Sequence, residues 1–323
     1  MTDILRAAAL LRAGELVAFP TETVYGLGAD AGNPAAVAKI FAAKGRPADH
    51  PLIVHLPDAT HLAHWADPVP PVARQLAAAF WPGPLTLILP RAAGVTDAVT
   101  GGQRSVGVRV PGHPLALELL AAFGSGIAAP SANRFGRISP TTAQHVRDEL
   151  GEAVALVLDG GPCEVGIEST ILDLSGDTPS ILRPGHISAE AIADVIGILP
   201  ARHAGAGAPR VSGSLEAHYA PRTPMQLVAA DGLLPAVRHA LAAGERVAVL
   251  ACLAPAITGE RIAWRAIPAD PEAYARALYA SLRWLDGLGC QRLVVEQPPQ
   301  TAPWIAVQDR LQRAAAGAGK SEA

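Results

Sequence analysis

Hydrophobic positions along this chain gather into short apolar runs, separated by longer stretches in which they recur every three or four residues. The two patterns mark buried strands and amphipathic helices respectively. Residues 4–13 read as a helix with Thr2 as its cap and Gly14 as its stop, followed by a short strand at 16–19. Asn33-Pro34 opens a second helix that ends near Gly45. Apolar runs at 52–56, 85–89, 106–110, 127–129, 155–158 and 170–174 read as further strands, with helices between several of them. The pattern then weakens over 203–224, a stretch rich in Gly, Ala, Pro and Ser that reads as an interdomain linker. Alternation resumes beyond it, with strands at 225–228, 247–250 and 293–295 and helices at 233–242, 271–287 and 304–315. The prediction is an α/β fold in two parts: a large domain over 1–202 and a small one over 225–323 built on a parallel sheet.

Composition agrees with two domains, since 323 residues exceed one core of ordinary size. Half the residues are apolar, and the net charge of -3 gives no global basic surface of the kind that grips nucleic acid. Only Lys39, Lys44 and Lys320 among the 26 basic residues are lysines, which singles out a lysine inside a motif. Asp3, Arg6, Arg12 and Glu15 interrupt the apolar tendency of the first twenty residues, so neither a signal peptide nor a spanning helix is expected, and the chain reads as soluble and cytoplasmic. Cys163, Cys252 and Cys290 are odd in number and lack paired ligand spacing, which predicts free thiols rather than disulfides or a zinc site.

The densest cluster of unusual residues is Pro20-Thr21-Glu22-Thr23-Val24-Tyr25-Gly26-Leu27-Gly28, directly after the first strand. Strand ends of open α/β sheets commonly deliver ligand groups, although a tight turn bonded to itself explains the same residues. Lys44-Gly45-Arg46-Pro47 places two cations at a helix exit, where they either aim at phosphate or answer the helix dipole. Pro130-Ser131-Ala132-Asn133 follows a strand, and Ser139-Pro140-Thr141 reads as the cap and first turn of a helix running to Leu150, a ready phosphate site or an ordinary cap. Glu168-Ser169-Thr170 and Leu182-Arg183-Pro184-Gly185 add a hydroxyl and an arginine near strand ends, and His55 closes an apolar strand as a core histidine would. The common NTPase loop, the serine nucleophile elbow and the zinc-protease helix are all missing. A pocket rich in hydroxyls, Arg and Lys suits phosphate binding and catalysis by positioning.

Together with Trp81-Pro82-Gly83-Pro84-Leu85-Thr86 and Gly107-Val108-Arg109-Val110-Pro111, these segments strongly resemble the Sua5/YrdC family of threonylcarbamoyl-AMP synthases. His218-Tyr219-Ala220-Pro221 and the smaller α/β domain resemble the long, two-domain Sua5 form. The resemblance implies a large twisted α/β YrdC-like domain with a deep basic cavity and a small Rossmann-like C-terminal domain. The implied reaction joins L-threonine, bicarbonate or carbon dioxide, and ATP into threonylcarbamoyl-adenylate and pyrophosphate, with Mg2+ accompanying ATP. The adenylate would pass to the tRNA threonylcarbamoyl-transfer machinery that makes the t6A modification; tRNA contact belongs to the same implied set, and a membrane does not.

Residue by residue, the resemblance implies that Thr23, His55, Arg109, the backbone at Ala129, and Ser169 hold threonine, with Arg109 forking its carboxylate. ATP would fall to Lys44, Arg46, His50, Ser105, Ser131, Asn133, Ser139 and Arg183, with Tyr219 reaching in from the linker and Lys44 and Arg46 serving the chemistry. No metal ligand and no general base is assigned. His50 and Ser105 stand where many relatives carry Asn and Thr, and residues 212–217 lack the basic side chains some relatives have there. Three other readings compete: an RNA-binding module, a carbamoyl-adenylate enzyme of hydrogenase maturation, and a threonine and nucleotide sensor without turnover. Scarce aromatics and the acidic total charge weigh against the first, and the cysteine spacing against the second.

Overall fold

The computed structural model describes residues 3–202 and 207–319, so Thr2, the proposed first cap, and linker residues 203–206 lie outside the described residues. The chain divides into two compact units, one of Met1–Phe135 and Pro140–Ser214, the other of Gly136–Ser139 and Leu215–Ala323.

The first unit is built on strands β1 (Val17–Phe19), β2 (Gly26–Asp30), β3 (Ile53–His55), β4 (Leu85–Pro90), β5 (Ser105–Arg109), β6 (Ile127–Ala128), β7 (Leu156–Val157), β8 (Thr170–Asp173) and β9 (Ser180–Arg183). They form one mixed sheet in the order β7-β1-β2-β6-β3-β5-β4-β8-β9. Successive side chains of a strand point to opposite faces. In the middle of the sheet, Val54, Leu87, Leu89, Val106, Val108 and Leu172 fall on one face and join the main core. Helices Pro34–Lys44, Pro71–Phe80 and Ala189–Ile196 supply Val37, Ile40, Leu76 and Ile192 to the same core. A second cluster unites helices Asp3–Arg12 and Pro114–Phe123 with Val17, Phe19 and Ile127. The alternate residues of the central strands, Ile53, Ile88 and Ile171, meet Val211 in a small separate cluster. Ser105, Gly107 and Arg109 alternate with the core valines of β5 and so share the face opposite them.

Helices and most strands lie within two residues of the pattern-based reading. The second helix is capped by Asn33, whose side chain accepts from the Ala35 and Ala36 amides, and it ends at Gly45 with φ 62°. The helix ending at Leu150 starts later than predicted, at Ala143. Thr142 caps it by accepting from the His145 amide, so Ser139-Pro140-Thr141 is not its cap and first turn. Strand β2 escapes the pattern because Gly26 and Gly28 read as a turn. Here they sit where a Cβ on Gly28 would come 2.9 Å from both Ile127 Cγ2 and Phe19 Cε1.

The described part of the predicted linker is packed, with 207–214 in the first unit and 215–224 in the second. The Arg210 amide donates to Gln103 Oε1 at 2.7 Å, Gln103 Nε2 donates back to the Arg210 carbonyl at 3.0 Å, and Val211 is buried.

The second unit carries β10 (Met225–Val228), β11 (Val247–Ala251), β12 (Ile262–Ala266) and β13 (Arg292–Glu296) in an all-parallel sheet of order β10-β13-β11-β12. The apolar side of helix Leu233–Ala242 packs Leu233, Val237 and Ala240 against Val247, Val249 and Val294. Helix Pro271–Asp286, capped by Asp270, buries Tyr274, Leu278, Leu282 and Leu285. Among the described residues no helix is long and apolar enough to cross a membrane. The three cysteines are free, Cys163 buried and Cys252 and Cys290 half-buried.

Candidate active site

On the face of the sheet opposite the main core, β3 and β5 end side by side with His55 opposite Arg109. The antiparallel neighbour β4 and its parallel partner β8 begin at that same end, bringing Thr86 and the residue before β8, Ser169, alongside. Gly107 leaves the floor bare: a Cβ there would meet Ile88 Cδ1 at 3.1 Å. A hollow on this face is lined by Ile53, Ile88, Ser105, Gly107, Arg210 and Ser212 among others.

Arg109 is 4 % exposed. Its Nε donates to the Gly83 carbonyl at 3.1 Å, Nη1 donates to Thr23 Oγ1 at 3.0 Å, and Nη2 lies 2.6 Å from Glu22 Oε1 as an ion pair. The turn supplying these partners is fixed locally. Thr21 Oγ1 accepts from the Thr23 and Val24 amides at 3.2 Å each and from the Thr23 hydroxyl at 2.7 Å, and donates its own proton to the Val24 carbonyl. The Pro20-to-Gly28 motif is therefore a self-bonded turn that also presents buried polar groups. Ser169 Oγ pairs with Thr86 Oγ1 at 2.8 Å, and the Arg183 guanidinium donates to Ser169 O from Nε and Nη2 and to Ser212 O from Nη1.

Burial and the neighbouring Arg109 charge push His55 down to about 3, so the imidazole is neutral, and its Nδ1 has no hydrogen-bond partner. Burial and the Glu22 carboxylate push Cys163 up to about 12, which leaves an inert thiol beside the cluster.

A second group forms where helix Pro34–Lys44 exits. Lys44 is buried and donates from Nζ to the carbonyls of Ser131 and Asn133, while the Phe135 amide donates to the Lys44 carbonyl at 2.8 Å. Burial, with Arg46 close by, pushes the ammonium well below its usual value. The Arg46 guanidinium stands 5.7 Å over the Phe135 ring and donates to the Pro51 carbonyl, and His50 meets the same ring edge-on at 5.3 Å. Lys44, Arg46, His50, Ser131 and Asn133 are thus gathered around one loop.

Ala129 is buried, with its amide committed to the Ile53 carbonyl at 2.9 Å. Ser105 stands at the start of β5, four residues from Arg109 along the strand and on the same face. Ser139 and Tyr219 belong to the second unit. The Ser139 carbonyl accepts from Arg283 Nε there. The Tyr219 ring, 1 % exposed, stacks on Tyr279 at 5.7 Å beneath the Arg310 guanidinium at 5.2 Å. Four residues of the two clusters carried no assignment from sequence: Thr21, Glu22, Thr86 and Phe135. The first three lie in motifs already singled out, but only the sheet register brings Thr86 to Ser169; Phe135 has no sequence signal beyond being aromatic.

Residues 9–185 match the family model Sua5, YciO and YrdC, described as "Telomere recombination", and residues 187–316 match "Threonylcarbamoyl-AMP synthase, C-terminal domain". The threonylcarbamoyl-AMP synthase of Bacillus subtilis (strain 168) is 42% identical over 98% of this chain and 93% of its own length. That of Pyrococcus abyssi is 38% identical over 95% of this chain and 92% of its own. The crystal structure of P. abyssi Sua5 complexed with L-threonine aligns with a TM-score of 0.89 at 37% identity, covering 99% of this chain and 96% of that one.

Proposed function

From the premise that the chain belongs to the Sua5/YrdC family in its long, two-domain form, we propose that it makes threonylcarbamoyl-adenylate from L-threonine, bicarbonate and ATP. The observation that carries this reading is the buried Arg109, held by Thr23 and Glu22 on a sheet face floored by glycine, with the Ser169–Thr86 hydroxyl pair on the adjoining strands.

In this reading Arg109 receives the threonine carboxylate, because a guanidinium offers parallel donors to a planar anion. Thr23 and Ser169 supply hydroxyls and Ala129 a stretch of backbone. His55 is a neutral wall that adds no positive charge. The threonine ammonium gives its protons to solvent as its nitrogen bonds the carbon of carbon dioxide, or of bicarbonate with loss of water, to form a carbamate; a carbamate oxygen then attacks the α-phosphorus of ATP, the bond from that phosphorus to the bridging oxygen breaks, and pyrophosphate leaves. Lys44, Arg46 and Arg183 oppose the charge that develops on the phosphates, with Ser105, Ser131, Asn133 and His50 as hydrogen-bonding groups. Two of the three Lys44 N–H groups already hold the Ser131 and Asn133 carbonyls, so its third is the one that serves phosphate. The nucleotide roles of Ser139 and Tyr219 rest on the family resemblance alone.

Magnesium enters as part of the MgATP substrate. Among the described residues no group of three or more His, Cys, Asp and Glu is placed to hold a metal ion. In this reading the ion is carried by phosphate oxygens and water, and no residue is assigned to it. The product would be handed in the cytoplasm to the machinery that threonylcarbamoylates adenosine in tRNA. Incubation of the purified chain with threonine, bicarbonate, ATP and magnesium tests the proposal. Mass spectrometry should find threonylcarbamoyl-adenylate in step with released pyrophosphate, and ligand binding without either product would make the chain a sensor.

A further inference from the structure

Glu22 is anomalous among the buried acids. It is 8 % exposed, its Oε1 faces Arg109, and its Oε2 has no hydrogen-bond partner. Asp173, exposed to the same 8 %, shows the ordinary solution, accepting at Oδ1 from both the amide and the hydroxyl of Ser175 at 2.9 and 2.6 Å. A buried carboxylate oxygen without a donor is costly, and it persists where something else completes it. Glu22 is held in place while it waits. Its carbonyl accepts from the Val165 amide at 2.8 Å, the Thr21 hydroxyl locks the turn on either side, and a Cβ on Gly112 would stand 3.4 Å from its Cδ.

The pair also poses a charge problem for the proposed function. If Arg109 accepts a substrate carboxylate while bound to Glu22, two carboxylates share one buried guanidinium. A positive group beside Glu22 Oε2 would restore the balance. An α-amino acid carries such a group one carbon from its carboxylate, and a guanidinium and a carboxylate fixed side by side form its electrostatic complement.

We propose that Glu22 is the receptor for the α-amino group of the amino-acid substrate, so that Arg109 and Glu22 together select a zwitterion over a simple hydroxy acid. The inference rests on the functional reading above and adds to it the group that holds the nitrogen before that nitrogen reacts. Glu22 is a binding residue here and performs no proton transfer.

Calorimetry on the intact chain with L-threonine and with 3-hydroxybutanoate, which keeps the hydroxyl and carboxylate but lacks the amino group, provides the test. The wild-type chain should prefer threonine by ~30-fold or more, the size expected for truncating one partner of a desolvated charge pair. Glu22→Gln should collapse most of that ratio by weakening threonine while leaving 3-hydroxybutanoate as tight or tighter. A role confined to folding would weaken both ligands alike and leave the ratio standing. Glu22→Asp, which keeps the charge on a shorter arm, covers the case in which Gln does not fold and should retain a preference between those of wild type and Gln. Equal wild-type affinities for the two ligands, or a ratio unmoved in both variants, overturns the inference. Arg109→Ala separates it from the wider reading: failure of wild type to bind threonine, or binding indifferent to Arg109, sinks the function itself and Glu22 with it. Binding that depends on Arg109 but not on the charge at position 22 sinks only Glu22.

Discussion

Strands β5 and β11 are each five residues long and buried from end to end, yet one reads Ser-Val-Gly-Val-Arg and the other Val-Ala-Val-Leu-Ala. In β11 both faces are apolar, as a parallel strand covered on both sides requires. In β5 one face is equally apolar, while the other carries a hydroxyl, a bare glycine and a guanidinium. The parallel order of the second sheet resembles nucleotide-binding folds more closely than the mixed order of the first, but among the described residues Glu22 Oε2 and His55 Nδ1, buried without a hydrogen-bond partner, lie in the first. Topology offers a place for a ligand, and buried polarity that local structure leaves incomplete marks a candidate for that place.

The sharpest break of this contrast is Arg109→Ala. Threonine affinity measured by calorimetry should fall by about 2–5 kcal/mol, and denaturant unfolding should show a loss of about 3–5 kcal/mol because Glu22 is left buried without its counter-charge. If threonine bound the variant as before, β5 would be a structural strand like β11. The converse is Leu250→Ala in β11, a fully buried position. It should cost about 2–5 kcal/mol of stability, visible as faster amide exchange in the second unit, with threonine affinity unchanged. A parallel loss of affinity would show that the apolar sheet contributes to binding.

Lys44→Ala tests the loop cluster. Losing a charged donor to two carbonyls should cost about 1.5–3 kcal/mol per bond, and pyrophosphate release should drop further than threonine binding does. Lys44→Arg should restore only part of it, because a planar fork cannot replace a compact ammonium; full activity in the alanine variant would remove the phosphate role.

The smallest effect is a pH slope. His55 titrates at about 3 in the folded chain and near 6.5 when unfolded, so between these values the unfolded state holds a proton that the folded state does not. Its contribution is full above 6.5 and is lost as pH falls, by about 1.4 kcal/mol per pH unit at the steepest. Urea unfolding at pH 7, 6 and 5 should show that slope in wild type and a flatter one in His55→Gln; parallel slopes would mean the imidazole is not buried neutral.

The comparison also explains which features could be read in the sequence. Strands such as 106–110 and helices with caps at Asn33 and Asp270 are local patterns, and they appear where periodicity and capping chemistry put them. Edge strands β9 and β12 are mostly only half-buried and show no clean apolar run, and the glycines of β2 read as a turn, so all three were illegible. Motif spacing singled out Arg109, Ser169 and Lys44, but partners such as Thr86 and Phe135 become visible only through register and loop closure. The 203–224 stretch reads as a spacer because Gly, Ala, Pro and Ser lack periodicity. Val211 and Tyr219 in it are nonetheless buried, and composition has no means of registering that.

Gly136–Ser139 belongs to the second unit although the residues before and after it belong to the first. The Ala220 amide donates to the Gly136 carbonyl at 2.8 Å, Arg137 pairs with Asp286, and Arg283 donates to the carbonyls of Ile138 and Ser139. The reading frame therefore crosses between units three times, and the smaller one is encoded in two separate pieces. A stop codon after Ser214 would not excise it as one detaches a tail; it would leave a four-residue strip of the missing module inside the remaining polypeptide, its acceptors stripped of donors. For the same reason a gene fusion that appended residues 215–323 to a foreign catalytic region would transplant an incomplete module, unless the host already spelled a compatible strip some eighty codons upstream of the join.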